Sequence, residues 1–365
     1  MKLQCKEGRF LKRPAAAGKP PLLEKMNILL LQLKRIGDLI LTTPAIGALR
    51  ETFPDSNLTL VISSECAELA PAISDVDRIL IVRRNPRDLA LLFAVARTKF
   101  DYCVDFTRND RSALLAFLSG ARKRVVSFRL KDKAKTRARV YNEFAEHRLR
   151  GMHTIDYHLA LLEPLGVQNA SRRLRLALPD NAREKADQLR REARIDNSFI
   201  IFHPGAARVE KFWETERWAS VIDRAQSDWP IQSILTGGGS DLEQRYIGQI
   251  KAKLSQPIVD LSGRTDLLTL AALIAQARLL VTVDSAPMHF AAATQTPQVV
   301  LFGPTNPFHW RPRESLALIL QGESTRPVSE FSPGKARVSM KQISTEAVIN
   351  AMSSLLSAAS AAQTA

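Results

Sequence analysis

Residues 27–49 read NILLLQLKRIGDLILTTPAIGAL. Ile28 to Leu31 form an uninterrupted apolar run of strand length, the mark of a strand buried on both faces. The run breaks at Lys34-Arg35-Ile36-Gly37-Asp38, and apolar residues resume at Leu39. Glycine permits a tight turn. An aspartate near a helix start gains from unpaired amides and the helix dipole. Capping is the commoner use of such an aspartate, but a carboxylate at a cleft edge also serves as a general base. Thr43-Pro44 has the form of a second cap and first helical position. The helix therefore begins either at Asp38, bending near Pro44, or at Pro44 itself.

Similar strand-like runs follow at 58–62, 79–82, 102–106 and 124–128, with helical patterns between them, as at 87–98 and 110–119. A helical stretch at 153–165 and a charged amphipathic one at 181–194 come next. The alternation restarts at 198–202 and continues with runs at 231–235, 257–261, 279–283 and 298–302. Helical segments at 215–227, 241–253, 267–276 and 286–294 separate these. Strands alternating with helices imply parallel sheets with crossover helices. The expected fold class is α/β, with two facing, doubly wound, Rossmann-like domains and a cleft between them. The expected boundaries are a basic, disordered extension at 1–25, an N-terminal domain at 26–175, a connection at 176–197 and a C-terminal domain at 198–335. A last helix within 336–358 is expected to return to the N-terminal domain, with a frayed tail at 359–365.

The chain has 365 residues, 45% of them hydrophobic and 24% charged, which fits soluble globular domains. No apolar run approaches the roughly 20 residues that span a bilayer. Three scattered cysteines, Cys5, Cys66 and Cys103, suit neither a disulfide framework nor a zinc site, which points to a reducing cytoplasm. The net charge of +15 is concentrated. Residues 1–25 and 121–150 hold most of it, the latter through Arg122, Lys123, Arg124, Lys131, Lys133, Lys135, Arg137, Arg139 and neighbours. Such patches attract nucleic acid, anionic lipid or phosphorylated substrates. Sparse aromatics in the second patch weaken a base-stacking reading.

Ligands of doubly wound sheets bind beyond the carboxyl ends of strands, so chemistry belongs at the strand exits. At FHPGAARVEKFW (202–213), small residues allow close backbone approach and Lys211 is a candidate phosphate partner. An exposed loop lysine is the commoner reading. At LTGGGSD (235–241), three glycines suit phosphate or ribose contact, but Leu242 breaks the dinucleotide fingerprint. At LLVTVDSAPMHFAAAT (279–294), Asp284-Ser285 ends a strand and Pro287 marks a first helical turn, a ready diphosphate site. His289 is there either a ligand contact or a satisfied structural histidine. Thr305, in a glycine-proline turn, is a weaker candidate. Asp75-Val76-Asp77 suits turn chemistry better than a metal. No phosphate-binding P-loop, HExxH or GxSxG motif occurs.

In this order and spacing, LKRIGDLILTTPAI, LSGARKR, HTIDYHLALLEPLG, HPGA with Lys211 and Trp213, LTGGG, the 261–293 segment and LFGPTNPFHWRP resemble the lipopolysaccharide heptosyltransferases, glycosyltransferase family 9. The resemblance covers roughly residues 26–312 and is strongest to the core heptosyltransferase III type. It implies the GT-B fold and inverting transfer of heptose from ADP-heptose to the lipid A–core oligosaccharide of lipopolysaccharide. It implies Asp38 as catalytic base, beside the acceptor loop Lys34, Arg35 and Gly37. Lys211, Asp284, Ser285 and His289 would hold donor phosphates and sugar, Gly238 with Asp241 or Glu243 the ribose, and Thr265 the adenine region. The chemistry would need no metal or other cofactor. The partners would be the nucleotide sugar, an anionic lipid-linked acceptor and the inner face of the cytoplasmic membrane, held peripherally and weakened by salt, with no nucleic acid. Ala286, where many members carry glycine, is a departure that bears on the acceptor. Three alternatives stay open: a family-9 enzyme with another nucleotide sugar or acceptor, a dehydrogenase despite the broken fingerprint, and a basic membrane- or nucleic-acid-binding protein with a degenerate site.

Overall fold

The computed structural model describes residues 25–146, 151–195, 198–334 and 338–363. The expected 1–25 extension therefore lies almost wholly outside the described residues, as does part of the 121–150 basic run. The strand at the opening stretch is β1 (Asn27–Gln32). Ile28 and Leu30 bury into one core, and Leu29 and Leu31 into another on the opposite face. Both faces are covered, as an unbroken apolar run requires. Each such leucine contributes about 1.5–3 kcal/mol relative to exposure.

The first sheet is parallel, in the order β3-β2-β1-β4-β5-β6, with β2 (Asn57–Ser63), β3 (Arg78–Val82), β4 (Tyr102–Asp105), β5 (Lys123–Ser127) and β6 (Glu143–Ala145). Crossovers are made by α1 (Ile36–Ile40), α2 (Thr43–Thr52), a 3₁₀ helix at Ser64–Ala72, α3 (Asp88–Arg97), α4 (Asp110–Leu118), α5 (Arg129–Lys133) and α6 (Lys135–Ala138). The second sheet repeats the plan in the order β12-β11-β10-β7-β8-β9. Its strands are β7 (Phe199–His203), β8 (Gln232–Leu235), β9 (Val259–Asp260), β10 (Leu279–Val283), β11 (Gln298–Phe302) and β12 (Ala317–Gln321). Between the sheets run α7 (Thr154–Ala160) and α8 (Asp180–Glu192). The second sheet carries α9 (Thr215–Asp228), α10 (Asp241–Lys251), α11 (Leu267–Gln276), α12 (Ala286–Thr294), α13 (Pro307–Trp310) and α14 (Thr345–Gln363). In each sheet the chain reverses direction beside the first strand, so the switch points are β1/β4 and β7/β10. These are the crevices where ligands enter such sheets.

The structure departs from expectation in four places. The last helix does not return to the first domain: α14 packs on α9, β10 and β11. Its Ala347, Val348, Ala351, Met352 and Leu356 complete the core of the second sheet, a face that would otherwise be open. The helix also runs on through Gln363, where a frayed tail was expected. The amphipathic helix expected at 181–194 is α8, but it is not a plain connection: it packs on α11 and ties to it through Lys185–Asp266 at 3.0 Å. Edge strands β6 and β12 were not legible, and β9 is only two residues of the expected 257–261. Short edge strands lack the two-sided burial that produces an apolar run.

Candidate active site

After β1 two short helices stand where one was expected, and the first starts at Ile36, ahead of Asp38. α1 carries Asp38, the chain breaks at Leu41-Thr42, and α2 begins at Thr43 with Pro44 in its first turn. Asp38 does not cap: no side-chain capping bond is made at the start of α1. Its carboxylate is 14% exposed and stands 3.6 Å from Lys34 Nζ, too long for a hydrogen bond. Its main chain is fixed from behind, because Thr42 Oγ1 donates to Asp38 O at 2.7 Å. Gln32 Nε2 in turn donates to Thr42 Oγ1 at 2.7 Å. Burial pushes the Lys34 ammonium down from its ordinary value, with Asp38 opposing that shift. The carboxylate is therefore held at a strand exit with Oδ1 ion-paired to Lys34 but without a hydrogen bond.

Opposite stands the exit of β10. Lys211 Nζ reaches Asp284 Oδ2 at 2.6 Å and donates to Asp284 O at 2.8 Å. The ammonium is hydrogen-bonded to the Asp284 carbonyl and ion-paired with its carboxylate. The lysine is thus built into the strand exit, which its local sequence as a loop residue did not require. Ser285 precedes α12 and makes no side-chain cap; Pro287 carries no N–H and the Met288 amide donates to Ser285 O at 3.3 Å, so the Ala286 amide is the donor left at this helix start. His289 is buried, and burial lowers it to about 4, against the pull of Asp284. It is neutral at pH 7, and its Nδ1 has no partner among the described residues. His203 at the end of β7 is also lowered to about 4 by burial and meets Thr236 Oγ1 at 3.0 Å.

The two exits touch. A methyl group at Gly37 would come within 3.1 Å of the His289 ring. They share a cleft of about 690 Å³ lined by Arg35, Gly37, Asp38, Lys211, Gly238, Glu243, Thr265, Asp284, Ser285, His289 and Thr305. Glu243, not Asp241, lines this cleft; Asp241 is exposed on the first turn of α10. Ser240 accepts from the Glu243 amide at 3.3 Å, a Ser-x-x-Glu cap. Glu243 lies across Gly205 and Gly238, where a Cβ would come 2.5 and 1.9 Å from its carboxylate oxygens. Burial pushes its carboxyl up. Lys34 is placed behind the cleft wall, on Asp38. Sequence reasoning missed Glu65, Arg208, Leu270 and Trp310, which also line the cleft. Arg208 and Trp310 stood inside quoted motifs; Glu65 carries no local signal. Among the described residues no group of three or more His, Cys, Asp or Glu side chains is placed to hold a metal ion.

The basic run is partly consumed by the fold. Arg124 donates to Val140 O and Ala121 O at 2.5 and 2.6 Å. Arg137 holds Asp110 and Arg108 O. Lys123 pairs with Glu143 at 3.6 Å, and Lys131 lies 3.9 Å over the Phe144 ring. Arg122, Lys133, Lys135 and Arg139 are exposed.

Two Rossmann-like sheets facing one another across a cleft, with a helix start at one switch point and a carboxylate at the other, define a glycosyltransferase of the GT-B fold. The model of glycosyltransferase family 9 (heptosyltransferase) matches residues 89–335. Lipopolysaccharide heptosyltransferase 3 of Escherichia coli K12 is 25% identical over 330 residues, covering 88% of this chain and 95% of that protein. The crystal structure of a family 9 glycosyl transferase from Veillonella parvula aligns with a TM-score of 0.79 at 25% identity, covering 92% and 98%. The structure of E. coli ADP-heptose lps heptosyltransferase II gives 0.74 at 19% identity, covering 92% and 100%, and shares the fold. The chain belongs to glycosyltransferase family 9.

Proposed function

We propose that this glycosyltransferase moves L-glycero-D-manno-heptose from ADP-heptose to the inner core of lipopolysaccharide, as the heptosyltransferase III type would. The N-terminal domain (26–175) takes the acceptor, and the second domain takes the donor. The observation that carries this reading is the meeting of Asp38 with the start of α12 across one cleft, Gly37 against His289. Asp38 accepts the proton of an acceptor hydroxyl as that oxygen attacks the anomeric carbon. The bond to the ADP oxygen breaks on the opposite face, which inverts the centre. The departing diphosphate is stabilised by the Lys211 ammonium and the Ala286 amide at the start of α12. Ser285 and neutral His289 contact phosphate and sugar, Glu243 the ribose beside Gly238, and Thr265 the adenine region. Asp241 is left without a donor role by its position. No metal enters these steps.

The heptosyltransferase names of the relatives support the donor and the acceptor class. Among the described residues no helix is long and apolar enough to cross a membrane. Attachment to the inner face of the cytoplasmic membrane is assigned to the exposed basic residues. Incubation with ADP-heptose and a panel of truncated core acceptors, read by mass, tests the whole reading. One acceptor gains a single heptose. Absence of the adduct on every acceptor, or transfer only from UDP- or GDP-sugars, overturns it.

A further inference from the structure

Single exposed apolar side chains are ordinary on protein surfaces. Here four large ones gather on two neighbouring helices: Leu89 (69% exposed) and Phe93 (62%) on α3, Leu114 (47%) and Phe117 (64%) on α4. α3 and α4 pack side by side, burying Leu91, Val95, Ala113 and Ala116 against the first sheet. Spacings of four and three residues turn the exposed set to the outer faces of both helices. Nothing in the hydrophobic core explains these side chains, and a contiguous exposed apolar patch marks an interaction surface.

Its rim is cationic. Arg84 and Arg87 precede α3, Arg97 closes it, Arg111 is in the first turn of α4 and Arg122 follows it. Among the described residues none of these five is ion-paired. The nearby carboxylates are already engaged. Asp88 accepts the amides of Arg83 and Arg84 at 2.8 and 2.7 Å, and Asp110 is held by Arg137. The Arg97 guanidinium lies 5.2 Å over the Phe93 ring, an arrangement in which the stem covers apolar surface and the charge stays at its edge. An isologous contact with a second copy would press these arginines on one another. An anionic bilayer satisfies both halves: acyl chains take the phenylalanines and phosphate headgroups take the arginines. Both helices begin at the carboxyl ends of β3 and β4, the end of the sheet at which Asp38 stands.

We infer that the outer face of α3 and α4 is a membrane-docking surface that inserts Phe93 and Phe117 into an anionic leaflet. It delivers the cleft to an acceptor embedded there, and in that respect rests on the lipid-linked acceptor proposed above. Docking thus has an apolar component that salt does not remove, beside the electrostatic one. The test compares the full chain with F93S/F117S, whose substitutions lie at exposed positions outside the cleft. Co-sedimentation uses vesicles of phosphatidylethanolamine and phosphatidylglycerol, and of phosphatidylcholine alone, at low and high salt. Wild type is expected to bind the anionic vesicles and to keep part of that binding at high salt. The variant should lose about tenfold or more of the affinity, with ADP binding and circular dichroism unchanged. Transfer to vesicle-embedded acceptor should fall, while transfer to the deacylated, water-soluble acceptor stays. Equal vesicle binding by both proteins overturns the inference, as does a wild-type dimer that the variant converts to monomer while vesicle binding persists. Vesicle binding lost in the variant, with no heptose transfer by either protein to either acceptor, upholds docking and refutes the transferase substrate reading.

Discussion

Replacing Lys211 by Met separates what the lysine does for the fold from what it does for the donor. Its ammonium is held by Asp284 Oδ2 at 2.6 Å, with the two side chains only 15% and 6% exposed. Removing the cation leaves the Asp284 carboxylate buried without its counter-ion, a change of about 3–5 kcal/mol. K211M is therefore expected to unfold at clearly lower urea. K211M/D284N removes the stranded charge and should recover most of that loss, because a matched neutral pair replaces a half-broken ionic one. Turnover must not recover with it, since neither methionine nor asparagine supplies the positive charge that stabilises departing ADP. The assay is urea denaturation followed by tryptophan fluorescence, beside steady-state transfer. All four tryptophans, Trp213, Trp218, Trp229 and Trp310, lie in the second half of the chain, so the signal reports the domain that holds the pair. If K211M changes stability by less than about 1 kcal/mol, the pair is not the buried contact described. If the double variant regains turnover, Lys211 is structural only.

Gly238→Ala forces Glu243 aside, since the new Cβ would fall 1.9 Å from its Oε2. The obstacle is the end of a flexible side chain, so stability should hold while donor KM rises about tenfold, the worth of one hydrogen bond to a charged group; unchanged KM in steady-state kinetics would remove Glu243 from the donor site. The buried histidines set an acid limit. His203 and His289 are lowered to about 4 and His153 to about 3, each chiefly by burial. Between those values and about 6.5 the unfolded chain binds protons that the folded chain refuses, so stability is full above about 6.5 and falls as pH drops. At pH 5 each histidine removes about 2 kcal/mol. Asp105 and Glu243, pushed up by burial, act with the opposite sign and reduce the net. Urea midpoints that stay level from pH 7 to 5 would contradict neutral buried histidines.

The parts of this molecule that were legible in sequence are those fixed by two-sided burial. β1 announced itself because Ile28 to Leu31 feed two cores at once. The exits of β7 and β10 were marked by small residues and a helix start. What was hidden depended on partners distant in the chain. Nothing local says that Lys211 turns onto Asp284, or that α14 returns to the second sheet and not the first. Trp213 Nε1 donating to Ile343 O at 3.1 Å is one of the contacts that hold that segment, and it spans 130 residues. Asp241 and Glu243 stayed open in the sequence; in the structure Ser240, three residues before Glu243, caps the helix and the glutamate turns back toward Gly238. Asp38 shows the opposite case. Its position suggested capping, yet it makes no capping bond and faces Lys34 and the cleft.

The most direct test concerns that carboxylate. Asp38→Asn keeps the shape of the side chain, the Thr42 bond to its carbonyl and the whole donor half of the cleft, while abolishing its ability to take a proton. ADP titration and heptose transfer should be measured on the same preparation. The account predicts unchanged ADP affinity with turnover lowered about 10²–10⁴-fold, the usual contribution of a general base. Near-normal turnover by the asparagine variant would contradict it.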